Sequence, residues 1–216
     1  MKIFVIHYSK LIERKEYIIN HFKKRGIEEY EFVENLNKED LTPEDYNKFT
    51  NDLKPSSISL ILKTFWVYKE IAEKYENALI FEDDVILLQG FLEKLDIYMK
   101  QLPSDWDMIF LGDGCNLHIP QDQLVPNVYV YKKGHDKTKW GGFGCTRCTD
   151  SCLVSNKGAK KIVNYLKETQ DTKINLPIDH YLNIMARECQ LNVYWTEPTI
   201  VTQGSGTGLF ENSYDR

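Results

Sequence analysis

At 216 residues the chain is long enough for one sizeable domain and too short for two full ones. Its hydrophobic content of 42% and charged content of 27% are those of an ordinary globular protein, and a formal net charge of -5 without any basic stripe argues against nucleic acid as a partner. Five cysteines fit a reducing compartment better than a disulfide framework. The opening apolar run is far too short for a signal peptide, and no later stretch reaches the roughly 18 apolar residues of a spanning helix. These features lead to the expectation of a cytoplasmic protein with no transmembrane segment.

The first strand is expected at Ile3 to Ile6, with Ser9 as the N-cap of a following helix. Leu11, Ile18 and Phe22, with Ile12 and Ile19 beside them, form its apolar stripe, and Gly26 ends it at C′. Tyr30 to Val33 reads as a second strand, so the opening is βαβ with parallel pairing. Residues 37–57 are polar and carry Pro43 and Pro55, giving a loop with a short helix from Pro43 to Phe49. Ile58, Ile61, Leu62, Phe65, Ala72 and Tyr75 stripe the next helix, which leads into the central strand. Another helix follows over Phe91, Leu95, Tyr98, Met99 and Leu102, then a strand from Asp107 to Leu111 closed by Gly112-Asp113-Gly114. Asn127 to Tyr131 alternates as an edge strand would. From Lys132 to Asp150 the chain is aperiodic and rich in Gly, Lys and Thr, the mark of a functional or mobile loop. A strand at Cys152 to Ser155 and a helix striped by Ala159, Ile162, Val163 and Leu166 come next. Pro177 at N1 opens a helix with Asp179 and His180, and Asn192 to Thr196 and Thr199 to Gln203 are the last extended pieces. Gly204 to Gly208 begins a flexible tail, residues 204–216, that can serve as a lid.

The chain is organised around Ala78-Leu79-Ile80-Phe81-Glu82-Asp83-Asp84. Four consecutive apolar residues make a strand buried on both faces, and three carboxylates follow where it ends. Ligands of open α/β sheets gather outside the carboxyl ends of strands. Crowded carboxylates on a rigid strand end repel one another unless a cation is present, and Mg²⁺ or Mn²⁺ suits such oxygens while sharing them with a substrate's phosphates. Glu82 and Asp84, two residues apart, can both face one ion. The competing reading is that Asp83 or Asp84 caps a turn and Glu82 is merely solvated.

Several segments in order resemble glycosyltransferase family 25, the lipopolysaccharide and collagen galactosyltransferase type. They are Ile3-Phe4-Val5-Ile6 with Arg14 downstream, Lys69-Glu70-Ile71 leading to Leu79 through Asp84, and Trp106 through Gly112. Cys152 through Lys161, Pro177-Ile178-Asp179 and Glu197-Pro198 complete the set. The resemblance implies a single α/β domain over residues 1–203, a GT-A-type Rossmann-like sandwich with a mostly parallel central sheet. It also implies metal-dependent, inverting transfer of a sugar, usually galactose, with glucose or N-acetylglucosamine as variants. The donor is a UDP-sugar and the acceptor a hydroxyl of a glycan or glycosylated protein. The chain departs from the family at Ser56 to Thr64, where a Gly-Glu-x-Gly-Cys-x-x-Ser-His pattern is common and the glutamate, the histidine and both glycines are missing.

On this reading Glu82 and Asp84 hold Mn²⁺ or Mg²⁺. Ile6, His7, Tyr8 and Arg14 meet the uridine, with Asp83 nearby, and Gln203 makes a further metal or phosphate contact. Asp179 matches the family's aspartate after a proline and is the candidate base, although a carboxylate there also suits a helix N-terminus electrostatically. Asp113 either binds acceptor hydroxyls or forms an Asx turn with Gly114. Trp140-Gly141-Gly142-Phe143-Gly144 reads as an acceptor loop or as ordinary loop residues, and Lys139 to Gly144 could order together with the tail. Cys145-x-x-Cys148-x-x-x-Cys152, with Cys115, His118 or Cys189, falls short of a zinc site because only one cluster is present. Two rivals stay open: a weakly active or inactive relative that binds nucleotide or glycan, and a nucleotidyltransferase. His7-Tyr8-Ser9-Lys10 lacks the glycine-rich phosphate loop expected of the latter.

Overall fold

A computed structural model describes residues 1–114, 116–135 and 140–210. Seven strands form the main sheet: β1 (Lys2–Ile6), β2 (Glu31–Val33), β3 (Asn77–Glu82), β5 (Met108–Phe110), β6 (Val130–Lys133), β7 (Ser151–Ser155) and β8 (Val193–Thr196), in the order β2-β1-β3-β7-β5-β8-β6. Pairing is parallel for β2-β1, β1-β3 and β5-β8, and antiparallel wherever β7 or β6 takes part. Five of the seven strands therefore point one way, as the expected mostly parallel sheet requires. A separate ribbon pairs β4 (Val85–Leu87) with β9 (Val201–Gln203).

Each central strand alternates between two cores. Phe4, Ile80, Phe110 and Val154 face one side, against α3 (Pro55–Lys74), α5 (Asn156–Glu168) and α6 (Ile178–Glu188). Val5, Leu79, Phe81, Ile109 and Leu153 face the other, against α1 (Ile12–Lys24) and α4 (Phe91–Gln101). Helices on both faces are why Ala78 to Phe81 is apolar without interruption. Phe81 is fully buried between Phe22 and Phe91, and cutting it to alanine should cost ~3–5 kcal/mol.

Local chemistry departs from expectation in four places. Ser9 does not cap α1, whose N-cap is Leu11; its hydroxyl accepts from Asn37 Nδ2 at 3.0 Å, so it joins the first turn to the loop after β2. Of the α1 stripe, Ile18 and Phe22 are buried while Ile12 and Ile19 are exposed. Pro177 is the N-cap of α6, with Ile178 first in the helix. The edge strand starts three residues later than Asn127, at Val130. Gly26, by contrast, takes the left-handed φ of 72° expected of a C′ residue. The short helix at Pro43 is α2 (Pro43–Tyr46), with Thr42 and Asp45 bonded reciprocally as a capping box.

Candidate active site

The parallel register sets Ile6 opposite Glu82, so the residues leaving β1 and β3 emerge side by side. His7 Nδ1 consequently meets Asp83 Oδ2 at 2.7 Å. Arg14, one turn into α1 and buried, reaches Asp83 Oδ1 at 2.8 Å and stands 3.9 Å from Asp84 Oδ2. A helix-surface ion pair for Arg14 is therefore excluded: the contact is internal. A cavity of about 110 Å³ opens at this strand end. Among its lining residues are Ile6, His7, Tyr8, Arg14, Glu82, Asp83, Asp84 and Gln203, all eight of the metal and nucleotide candidates.

The three carboxylates are not equivalent. β3 ends at Glu82, and Asp83-Asp84 form the turn into β4, so strand alternation does not extend from Glu82 to Asp84 as expected. Burial alone would raise Asp83, but hydrogen bonds from His7 and Arg14 outweigh it and hold the carboxyl below the usual carboxylate range. Among the described residues the side-chain donor to Glu82 is Thr149 Oγ1, at 2.8 Å. Loss of solvent, then the Asp84 charge, push it up to about 8. Asp84 is raised first by burial and then by Asp83, against bonds from Ser205. Its Oδ1 is buried without a hydrogen-bond partner.

A fourth carboxylate, Asp150, escaped sequence reading. It is 1% exposed, burial lifts it to about 7 with Asp84 and Asp113 adding repulsion, and its Oδ1 has no partner. Gly112 makes room for it, since a Cβ there would overlap Asp150 Oδ2 and Ser151 Oγ. In sequence Asp150 merely ends an aperiodic loop. Only the antiparallel insertion of β7 between β3 and β5 brings its backbone carbonyl to Glu82 N, at 2.9 Å. Among the described residues no three His, Cys, Asp or Glu side chains already converge as a complete cation site. Two orphaned buried carboxylate oxygens and an excess of negative charge nevertheless fit a Mg²⁺ or Mn²⁺ ion, which takes one or two carboxylates and completes its shell with phosphates.

The C-terminal segment closes one side of the cavity. Gly204 begins a short helix, α7 (Gly204–Thr207); its N–H donates to Asp84 O at 2.7 Å, and Ser205 lines the cavity. Phe210 stacks over the Arg14 guanidinium at 5.1 Å. Residues 211–216 of the expected tail lie outside the described residues.

Asp179 does not line the cavity. It sits in the first turn of α6, about a third of its side chain open, with His180 Nε2 3.9 Å from its Oδ2. The loop from 140 to 150 joins it to the acidic cluster. Thr146 Oγ1 donates to Asp179 O at 3.1 Å, and Thr149, three residues on, donates to Glu82. Arg147 anchors the loop: fully buried, it stacks on Trp195 at 4.3 Å, donates to Thr196 O at 2.8 Å and pairs with Glu197. Trp140 is packed inward, donating to Gln123 Oε1 at 2.7 Å, whereas Phe143 is 78% exposed with His180 5.5 Å from its ring. Lys139 and Cys115 lie outside the described residues, and Cys145, Cys152 and Cys189 are free thiols.

A helix-covered, mostly parallel sheet with carboxylates at the β3 terminus and a cavity beside them is a GT-A-type fold. The fold is similar to that of an active-site mutant of the galactosyltransferase LgtC, with a TM-score of 0.50 and 11% identity over 90% of this chain and 72% of that one. The chain belongs to glycosyltransferase family 25 (LPS biosynthesis protein), whose family model matches residues 1–182. It is 27% identical over 157 residues to an Acanthamoeba polyphaga mimivirus protein named as a glycosyltransferase, covering 67% of this chain and 48% of that protein. It is 23% identical over 231 residues to the same virus's procollagen lysyl hydroxylase and glycosyltransferase, covering 93% of this chain and 24% of that protein. The chain thus spans about half and about a quarter of these two relatives.

Proposed function

We propose that this glycosyltransferase moves a hexose, galactose or alternatively glucose or N-acetylglucosamine, from a UDP-sugar to a hydroxyl of a glycan or glycosylated protein, with inversion and with a divalent cation. The observation that carries the reading is the division within the acidic triplet. Asp83 is hydrogen-bonded by His7 and ion-paired with Arg14, while Glu82, Asp84 and Asp150 crowd together with two orphaned oxygens, Arg14 standing 3.9 Å from Asp84 Oδ2. A protein that needed these groups only for its fold would have paired them.

Glu82 and Asp84 would hold Mn²⁺ or Mg²⁺, with Asp150 behind them. Bound there, the ion supplies charge compensation for the departing diphosphate. The uridine meets Ile6, His7 and Tyr8, and Gln203 and Ser205 close the cavity near the phosphates. On the acceptor side, the Asp179 carboxylate takes the proton from the incoming hydroxyl, whose oxygen attacks the anomeric carbon opposite the leaving group. Phe143 offers an apolar face for the acceptor sugar. Incubation with UDP-galactose, UDP-glucose and UDP-N-acetylglucosamine in Mn²⁺, followed by proton NMR of the product, tests this. A β-linked product from an α-linked donor is expected. A retained anomer, or release of sugar from GDP- or CMP-linked donors alone, contradicts the proposal.

A further inference from the structure

The cavity wall contributed by α3 is a polar stripe beside its apolar, core-facing side. Ser56, Ser59 and Lys63 stand at i, i+3 and i+7, with Leu60 among them, while Ile58, Ile61 and Leu62 turn into the core. Ser59 is occupied, donating to Leu36 O at 2.6 Å. Lys63 is only 2% exposed, a costly place for an ammonium group. Two of its three N–H bonds go to neutral acceptors: the His7 carbonyl, and Asn37 Oδ1 at 2.8 Å. Those partners fix the amine against the end of β1. The carboxylate with the largest pull on it, Asp83, is already shared by His7 and Arg14. What remains at this wall is one N–H of a cation that can donate and never accept.

The chemistry of that donor selects its ligand. A carbonyl oxygen satisfies it, and an exocyclic amino group sets donor against donor and leaves a buried charge unmet. The cation expected at Glu82 and Asp84 draws a diphosphate to the other side of the cavity, which leaves the β1 end for the base. We infer that Lys63 is the residue that selects the nucleobase, donating to the O4 carbonyl of uracil and rejecting cytosine, which carries an amino group at that position. The inference rests on the UDP-sugar reading above and adds the residue that enforces the choice of base. It also gives Ser56 to Thr64 a role: the stretch that departs most from the family pattern supplies this wall.

Calorimetric titration of UDP and CDP in Mn²⁺ against the wild type and Lys63→Met tests it. The wild type should bind UDP about 10- to 100-fold more tightly than CDP, the range for a hydrogen bond from a charged donor. In Lys63→Met that ratio should fall to within about threefold. The ratio is the readout because a general folding defect weakens both ligands alike. Equal wild-type affinity for UDP and CDP overturns the inference and leaves the UDP-sugar reading standing. A Lys63→Met protein that loses affinity for both with the ratio preserved also overturns it, making Lys63 a phosphate or structural contact. If neither nucleotide binds the wild type, the UDP-sugar reading falls and takes this inference with it.

Discussion

The strand-end cavity and the loop joined to its acidic cluster are built by different means. The proposed donor side is set by strand ends: the β1-β3 register fixes His7 beside Asp83, and α1 delivers Arg14 into the same contact. The proposed acceptor side is a loop, held by Arg147 on Trp195 and by Thr146 on the first turn of α6. Regular structure positions charges rigidly, which suits the diphosphate of the proposed donor. A loop can vary its exposed face, here Phe143 and His180, without disturbing the sheet. The difference also separates two kinds of carboxylate, those whose charge the protein satisfies and those it leaves for a ligand.

The largest effect that probes this division belongs to Asp179 on the acceptor side. Asp179→Asn should lower transfer by ~10²–10⁴, the loss expected for a positioned general base, while UDP affinity in Mn²⁺ stays within a few-fold of wild type. Transfer at a near wild-type rate would move the base elsewhere, with Asp113 the next candidate. Its Oδ2 lies 3.4 Å from Thr202 Oγ1, close to the acidic cluster.

Next in size is a contrast between neighbours. Asp83→Ala removes the 2.8 Å carboxylate contact of buried Arg14 and the hydrogen bond of His7 and should cost ~3–5 kcal/mol in urea unfolding. Asp84→Ala relieves repulsion and should leave unfolding nearly unchanged while removing the effect of Mn²⁺ on UDP binding. Equal stability losses for the two would erase the distinction.

A smaller effect concerns the support beneath the acidic turn. His21 Nε2 accepts the Leu87 N–H at 2.8 Å, holding β4 just beyond Asp84, and burial, followed by the charges of Arg25 and Lys24, lowers the imidazole to about 4. Below pH 6.5 the unfolded chain binds a proton that the folded chain refuses. Stability therefore falls as pH drops from 6.5 toward 4, by on the order of 2 kcal/mol after discounting for partial solvent access. His21→Gln keeps an acceptor for Leu87 and should flatten this part of the urea-unfolding curve against pH. An unchanged slope would locate the proton uptake at another group. Smaller still is a change in amide exchange at Gly204 to Gly208. Donor and cation must replace the Ser205 bonds to Asp84, so exchange there should change when UDP and Mn²⁺ are added together, and identical protection with and without them would remove the lid role.

Much of the donor side was legible because it follows from local rules. A continuous apolar run ending in Glu82-Asp83-Asp84 announces a covered strand and its functional end, and a βαβ opening places the first turn alongside. The cation-like contacts of Arg14 and His7 with Asp83 were not readable, since neither residue is near it in sequence and the sequence does not fix their rotamers. Asp150 was hidden for a topological reason: a strand running against its neighbours delivers it from a loop with no periodicity. Lys63 did leave a signal, a polar i, i+3, i+7 stripe beside the apolar positions of α3, which the family pattern missing from that stretch obscured. Ser9 and Pro177 show the ordinary limit of capping rules, because Asn37 and the backbone of α6 offered each a different local partner or position.

The central claim is that Glu82 and Asp84 are left unsatisfied for a cation that binds together with UDP. Calorimetry of UDP against the wild-type chain, in Mn²⁺ and then in EDTA, tests it most directly. Mutual repulsion among the cluster and the diphosphate predicts binding in Mn²⁺ and a loss of at least about tenfold in EDTA, well within the reach of one uncompensated charge contact. Equal affinity in the two buffers would mean that the protein alone satisfies the diphosphate, and the claim would be wrong.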